Sequence, residues 1–407
     1  MSQSAVIIGG GPAGLMAAEV LLARGVPVDL YDAMPSLGRK FLMAGKSGLN
    51  LTHSEPMEAL VSRFGDRQAD LEPVLRQFDN AALRAWALEL GVETIVGSSG
   101  RVFPAGFKAA PLLRAWISRL RKAGLRTHIR HRWLGWTGEG ALHFDTPAGE
   151  VRVTAAATVL ALGGASWPKL GSDGAWGPLL AGRGARVSPL RPANCGFDVS
   201  WSDHFRDRFA GSPVKSVTLS AGGETRHGEF VVTRTGIEGS GVYAVSSLLR
   251  DEIEATGSAT LTLDLKPGRT EERLVRDLGR DRGRNSFANH LRKTTGLTGV
   301  KAGLLREFTS AGILDDIPAL AAAIKRLVIP VDRTRPIAEA ISTAGGLCFT
   351  AIDGTSHIRA LPGVFATGEM LDWEAPTGGY LLTACMAHGR ATGEEVAAYL
   401  EAGKSSA

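Results

Sequence analysis

The sequence predicts an α/β protein, a parallel sheet wound with helices and interrupted by a long insert. Three observations carry this expectation. The stretch VIIGGGPAGLMAAEVLLARGVPVDLYD (6–32) reads as strand, glycine turn, helix, strand and acid. Two further short apolar runs close on glycine, TVLALGG (158–164) and VFATGE (364–369). They are separated by a middle region of different patterning.

Val6, Ile7 and Ile8 are β-branched and contiguous, as in a strand buried on both faces. Gly9, Gly11 and Gly14 then give G-x-G-x-x-G around Pro12 and Ala13, and Leu15 to Ala23 reads as a helix. The first glycine turns the chain, the second lets a pyrophosphate approach the backbone, and the third permits close packing of helix on strand. Phosphates then face free N–H groups at the positive helix end. A second strand, Val26 to Tyr31, ends in Asp32, eighteen residues after Gly14, followed by Ala33. A carboxylate there accepts hydrogen bonds from an adenosine ribose. This unit predicts a bound dinucleotide and leaves NAD and FAD open.

Composition narrows the rest. With 407 residues, 44 % of them hydrophobic, the chain supports a large core and two or more domains. The opening has no basic n-region and no run of about 18 apolar residues occurs, so neither secretion nor membrane spanning is expected, and the cytoplasm is the expected location. Cys195, Cys348 and Cys385 lie far apart without a C-x-x-C pair, so reduced thiols are expected. The nine histidines show no H-x-x-x-H spacing, so no metal site is expected. The net charge of +5 is unevenly spread: segment 266–306 holds eleven Lys or Arg against four acids, a net +7 that leaves −2 for the remainder. Such a patch suits RNA phosphates, or is simply the solvated face of helices whose arginines interleave with acids.

Longer blocks carry a resemblance. GGGPAGL (9–15), GRKFLMAGKSGLNLTH (38–53), GRVFPAGFKA (100–109) and GGASWPKLGSDG (163–174) are followed by GEFVVTRTGIEGSG, RPIAEAISTAGG, GVFATGEMLD and PTGGY. In this order they resemble the BaiN/YhiN-like (RdsA-like) NAD(P)/FAD-dependent oxidoreductases nearly end to end. The chain departs from the usual pattern at Gly45-Lys46-Ser47-Gly48-Leu49-Asn50, at Thr233-Arg234-Thr235-Gly236 and at Leu381, where Asn is usual. The resemblance implies a glutathione-reductase-type FAD-binding Rossmann-like domain, with FAD held non-covalently and NADH or NADPH as a transient electron donor. No second G-x-G-x-x-G and no redox Cys pair marks a separate NAD(P)H domain.

On that resemblance the remaining blocks acquire roles. Gly368-Glu369, with Asp372 nearby, is expected to meet the ribityl chain, whose hydroxyls need an acceptor. Thr377, Gly378, Gly379, Tyr380 and Leu381 are expected to open a helix (Leu381 to His388) beside the isoalloxazine, aiming N–H groups at N1 and C2=O. Gly163 and Gly164 leave room where bulk would block a dinucleotide. Gly38, Arg39 and Lys40 suit pyrophosphate neutralisation or are solvated surface charge. Trp133, ending a strand-like His128 to Trp133, packs against adenine or is a plain core tryptophan.

The catalytic candidates are Lys46, Asn50, Arg101, Lys108 and Arg234, with Ser47, Ser166, Trp167 and Glu238 beside them. Lys46 is a proton donor, an anion anchor or a cofactor-phosphate contact, and Ser47 is a cofactor contact as well; Arg101 and Lys108 are an anion clamp or structural ion pairs. The expected domains are 1–187 with 336–407 for FAD and 188–335 for the insert, the insert being β-barrel-like over about 190–262 and helical over about 265–330. The tail GKSSA reads as disordered. Substrate is expected in the cleft between domains. Three functions remain open: an enzyme acting on structured RNA through 266–306, since the family includes a ribosomal-RNA dihydrouridine synthase; a small-molecule oxidase or reductase acting on an amine or enoyl substrate; and a non-catalytic flavin-binding scaffold. Oligomeric state is not read from the sequence.

Overall fold

A computed structural model describes residues 4–46 and 48–405; Ser47 lies outside the described residues. The chain divides into two compact units, Met1–Arg191 with Ser342–Ala407, and Pro192–Ile341. Each has its own hydrophobic core.

The first unit is built on β1 (Ala5–Ile8), α1 (Pro12–Ala23), β2 (Val28–Asp32), α2 (Arg39–Ala44), β3 (Arg126–Ile129), β4 (Ala157–Leu160), β5 (Val364–Ala366) and α3 (Tyr380–Ser405). Its seven-stranded sheet runs Ile352–Asp353, His357–Ile358, β5, β4, β1, β2, β3. The five strands from β5 to β3 are parallel, and the two short edge strands are antiparallel. Every residue of β1, β4 and β5 is buried, as contiguous β-branched and apolar runs demand of a sheet covered on both faces. Because all five strands point the same way, β1, β2, β4 and β5 deliver the loops that follow them to one edge.

Close approach explains the glycines of the first turn. Gly9 has φ +109°, and a Cβ there would lie 2.2 Å from Ala161 O; at Gly14 it would lie 2.1 Å from Gly9 O. Helix α3 was expected to stop at His388 but runs 26 residues to Ser405, through Gly389 and Gly393. A Cβ on Gly389 would lie 2.3 Å from Ala13 O and one on Gly393 2.7 Å from Val20 Cβ. These glycines let α3 press against α1, and that packing outweighs their low helix propensity. Consequently the tail expected to be disordered is helical through Ser405. Glu19 fixes the other flank of α1 by accepting from the Trp86 and Trp116 indoles, at 3.3 and 2.5 Å, and from Arg119.

The run expected as one strand from His128 to Trp133 is two. Arg130, at φ +58°, breaks it between β3 and Arg132–Trp136, which belongs to a separate antiparallel sheet with Leu142–Thr146 and Gly149–Val153.

The second unit contains a seven-stranded sheet in which every pairing is antiparallel: Leu327–Val331, Ala259–Asp264, Pro213–Ala221, Glu224–Val232, Gly236–Glu238, Phe197–Asp198, Arg333–Thr334. Where a barrel-like half followed by a helical half was expected, two of these strands come after the helices. Helices Asp203–Phe209 and Ser246–Thr256 lie among the earlier strands. Five helices between Glu271 and Lys325 supply the expected helical segment. Leu261, Leu263 and Ile329, fully buried, pack with Leu274, Leu304 and Ile324 from those helices, so sheet and helices form one core. No helix among the described residues is long and apolar enough to cross a membrane.

Candidate cofactor site

A groove opens where the loops after β1, β2, β4 and β5 meet. Of the residues singled out from sequence, Gly9, Gly11, Pro12, Ala13, Asp32, Ala33, Gly38, Arg39, Lys40, Trp133, Gly163 and Glu369 line it. Gly14 is packed beneath the first turn, and Gly164 lies against Thr343, whose Oγ1 would be 2.3 Å from an added Cβ.

Asp32 has a double task. Its Oδ2 accepts from the Gly10 N–H at 2.7 Å and its Oδ1 from the Met34 N–H at 2.7 Å. Burial raises the carboxyl's pKa, and these two donors together with Arg39 oppose the rise. Each oxygen keeps a lone pair that a ribose hydroxyl can use. The carboxylate therefore shapes the glycine turn and faces the groove at once.

At the other end stands Glu369, buried with 7 % exposure. Lys40 Nζ donates to both its oxygens, at 2.8 and 3.1 Å, and to Ser166 Oγ at 2.6 Å, while the Thr343 N–H donates to Glu369 Oε1 at 3.2 Å. Lys40 is thus turned to Glu369, and Arg39 is the cation whose Nε is buried against the groove without a partner among the described residues. Asp372 does not line the groove: it accepts from Arg67 at 2.6 Å and from Ser188 at 3.0 Å.

Three buried side-chain atoms without a partner among the described residues belong to residues lining this groove: Arg39 Nε, Trp133 Nε1 and Ser172 Oγ. A buried polar group left unpaired costs about 1–3 kcal/mol, so a ligand that pairs all three is favoured. The set fits FAD. Two N–H donors and a hydroxyl suit phosphate oxygens and ring nitrogens, and two carboxylates suit ribose and ribityl hydroxyls. Trp133 packs edge-on against Trp136, ring centres 4.9 Å apart. Tyr31, whose ring stacks on His128 at 4.3 Å and Phe144 at 4.4 Å, also lines the groove.

The turn before α3 is held from behind. Gly378 and Gly379 have φ +145° and +95°, and a Cβ on Gly379 would lie 2.6 Å from Thr52 Cα. Tyr380 is buried, stacks on His53 at 5.3 Å, and hydrogen-bonds Glu55, which pairs with Arg63 at 2.8 Å. Burial, reinforced by Glu55, pushes the Tyr380 phenol up, so it stays protonated. Leu381 packs against the core, and Thr377 lies in the preceding turn. With its amide nitrogen turned inward, Asn50 donates to Gly378 O at 3.3 Å and Thr52 O at 3.1 Å, clipping its loop to this turn.

The other candidates are spread out. Lys46 is exposed just beyond α2, Lys108 is exposed at the start of helix Ala109–Lys122, and Arg101 pairs with His53 across two short strands. Arg234 and Glu238 belong to the second unit, where Arg234 is exposed 3.5 Å from Asp207. Sequence reasoning missed Met34, His131, Ser172, Thr367 and Cys385, which also line the groove. Thr367 and Ser172 sat inside quoted blocks; nothing in the pattern signalled Met34, His131 or Cys385.

Residues 3–395 match the model of the HI0933-like protein Rossmann domain. The chain is 27 % identical to the 3-dehydro-bile acid delta(4,6)-reductase of Clostridium scindens, over 96 % of this chain and 98 % of that protein. It is 22 % identical to the ribosomal RNA dihydrouridine synthase of Haemophilus influenzae, over 92 % and 94 %. In fold it is similar to a flavocytochrome c3 fumarate reductase, with TM-score 0.54, 15 % identity and coverage of 98 % of this chain and 78 % of that one. It is also similar to the 3-ketosteroid delta1-dehydrogenase of Sterolibacterium denitrificans, with TM-score 0.52, 12 % identity and coverage of 97 % and 99 %. The end-to-end family match, on a groove built for a dinucleotide, makes the chain a member of the HI0933-like family and an FAD-dependent oxidoreductase.

Proposed function

We propose that the protein reduces a carbon–carbon double bond conjugated to a carbonyl in a small molecule. The observation that carries this reading is the groove, with a carboxylate at each end and three unpaired donors, in a chain whose bile-acid relative is by name a delta(4,6)-reductase. Bound FAD supplies hydride transfer, taking two electrons from a donor and passing them on. The chain's own residues do the rest. Gly9 to Gly14 and Arg39 hold the pyrophosphate, Asp32 with Ala33 the ribose, and Trp133 the adenine. Gly163 keeps the groove open, while Gly38 and Gly164 let the chain pack closely on Leu113 and Thr343. Lys40 fixes the Glu369 carboxylate, which accepts from the ribityl hydroxyls next to Gly368. Thr377 to Leu381, which lie outside the groove's lining, would turn the positive amino end of α3 toward the bound flavin, which suits the negative charge that gathers on reduction. Lys46, in the loop clipped by Asn50, is our candidate proton donor to the substrate; Ser47, Arg101, Lys108 and Arg234 are candidates for anchoring it.

The RNA reading loses support in the second unit. Asp277 draws Arg269 to 3.1 Å, Arg280 to 2.8 Å and Arg273 to 3.8 Å. Three of the segment's eleven cations are therefore engaged in holding its own helices, while Arg276, Arg284 and Arg292 have no ion pair among the described residues.

The test is anaerobic reduction of the flavin by NADH and by NADPH, followed by addition of conjugated enones, amines or ribosomal-RNA fragments. Reoxidation by an enone without RNA is expected, slowed in Lys46→Met at unchanged flavin content. Reoxidation by RNA alone, with affinity that falls with salt and on reversing Arg276, Arg284 and Arg292, would replace this reading by the RNA one. Full flavin occupancy with no turnover by any donor would leave the scaffold reading.

A further inference from the structure

We infer that Ser172 is a further cofactor contact, acting on the flavin-side half of FAD and not on its adenosine end. This rests on the reading of the groove as the FAD site. Ser172 is 5 % exposed and lines the groove, and its Oγ has no hydrogen-bond partner among the described residues.

Local geometry determines which half of the groove it serves. The short helical turn Pro168–Leu170 ends at Gly171, whose φ of +98° reverses the chain. A Cβ on Gly171 would lie 2.9 Å from Met34 Cγ, so the turn meets the loop that carries Asp32. The next residue, Ser172, is placed by its nearness to Gly163. The position a Gly163 Cβ would take is 3.2 Å from Ser172 Oγ and 3.7 Å from Glu369 Oε2, so hydroxyl and carboxylate flank one spot at the Glu369 end. Gly163, with φ +67°, leaves that spot open.

The chemistry of the pair identifies the ligand group. Glu369 accepts only, and its oxygens already take Lys40 and the Thr343 N–H. A serine hydroxyl donates once and accepts twice. A polyol hydroxyl lying between them donates to Glu369 and accepts from Ser172, which satisfies both. The ribityl chain of FAD carries such hydroxyls, and ADP lacks that segment.

The experiment titrates the full chain, stripped of flavin, with FAD and separately with ADP, following flavin fluorescence for the first and heat of binding for the second. Ser172→Ala is expected to weaken FAD roughly fivefold, as loss of one hydrogen bond does, with ADP affinity changed less than about twofold. Ser172→Cys, which keeps the volume and loses most of the hydrogen bonding, is expected to follow Ser172→Ala and serves if the alanine variant does not fold. Unchanged FAD affinity in the variants, or equal losses for FAD and ADP, overturns the assignment. Failure of the unsubstituted chain to bind FAD at all instead overturns the reading of the groove, so the two failures are distinct.

Discussion

Both units are organised around a seven-stranded sheet, yet only the parallel one gathers the loops that follow its strands. In the first unit four of those loops reach one edge and bring Gly9, Asp32, Gly163 and Glu369 to a common groove, although Gly9 and Glu369 are 360 residues apart. In the second unit antiparallel strands send successive loops to opposite ends, and its charged side chains are largely spent on one another. Asp198 binds Arg333 and Arg335 at 2.5 and 2.9 Å, and Asp277 holds its three arginines. The lesson is that a strand direction, more than a residue type, decides whether polar groups face a ligand or each other.

Glycine substitutions should separate the two units most sharply. Gly14→Ala places a methyl 2.1 Å from Gly9 O; we expect purified protein without yellow colour and a loss of about 3 kcal/mol in denaturant melts, at the upper end of overpacking effects. In the second unit Gly257, at φ +88° with nothing within 4 Å of an added Cβ, should cost about 1 kcal/mol as alanine, from backbone strain alone. Its flavin content should not change.

Acid should find the first unit next. His388 is fully buried in α3, bonded to Thr367 Oγ1 at 2.9 Å, and burial lowers its pKa to about 4 from 6.5. Above pH 6.5 the ring is neutral in folded and unfolded chains alike. As pH falls from 6.5 to 4 the unfolded chain takes up a proton that the folded one refuses, so stability drops by about 3 kcal/mol across that window. Thermal or urea melts of His388→Gln should show a flatter dependence over this range. An equal slope would mean another group titrates.

Asp277→Asn should cost the second unit about 2 kcal/mol by leaving Arg269, Arg273 and Arg280 without their shared carboxylate. The figure is held down because Arg273 and Arg280 are 59 % and 69 % exposed. Flavin content should again stay constant. The smallest effect is expected from Trp133→Phe, which keeps an aromatic ring and removes an unpaired buried N–H. FAD and ADP should both bind about fivefold more weakly, which corresponds to about 1 kcal/mol. A loss confined to FAD would move Trp133 away from the adenosine end.

Local chemistry made much of the first unit legible in the chain. A β-branched strand, a glycine turn and an acid eighteen residues on are short-range patterns whose meaning survives without neighbours, and they identified most of the groove's first wall. Charge on Arg39 and Lys40 was legible too, but its direction was not: only contact with Glu369, 329 residues away, turned Lys40 from the phosphate region. Gly389 and Gly393 lie beyond the helix end expected at His388, because propensity is local, whereas their use is the close approach of α1.

What the sequence determined by itself was the nucleotide-binding turn and a bound dinucleotide, because each is written in neighbouring residues, while FAD and the long insert came from the order of blocks along the whole chain. The tertiary structure alone decided which buried polar groups remain unpaired. Whether Ser172, Trp133 or Asp372 has a partner depends on atoms brought from distant segments, and no pattern along the chain records those distances.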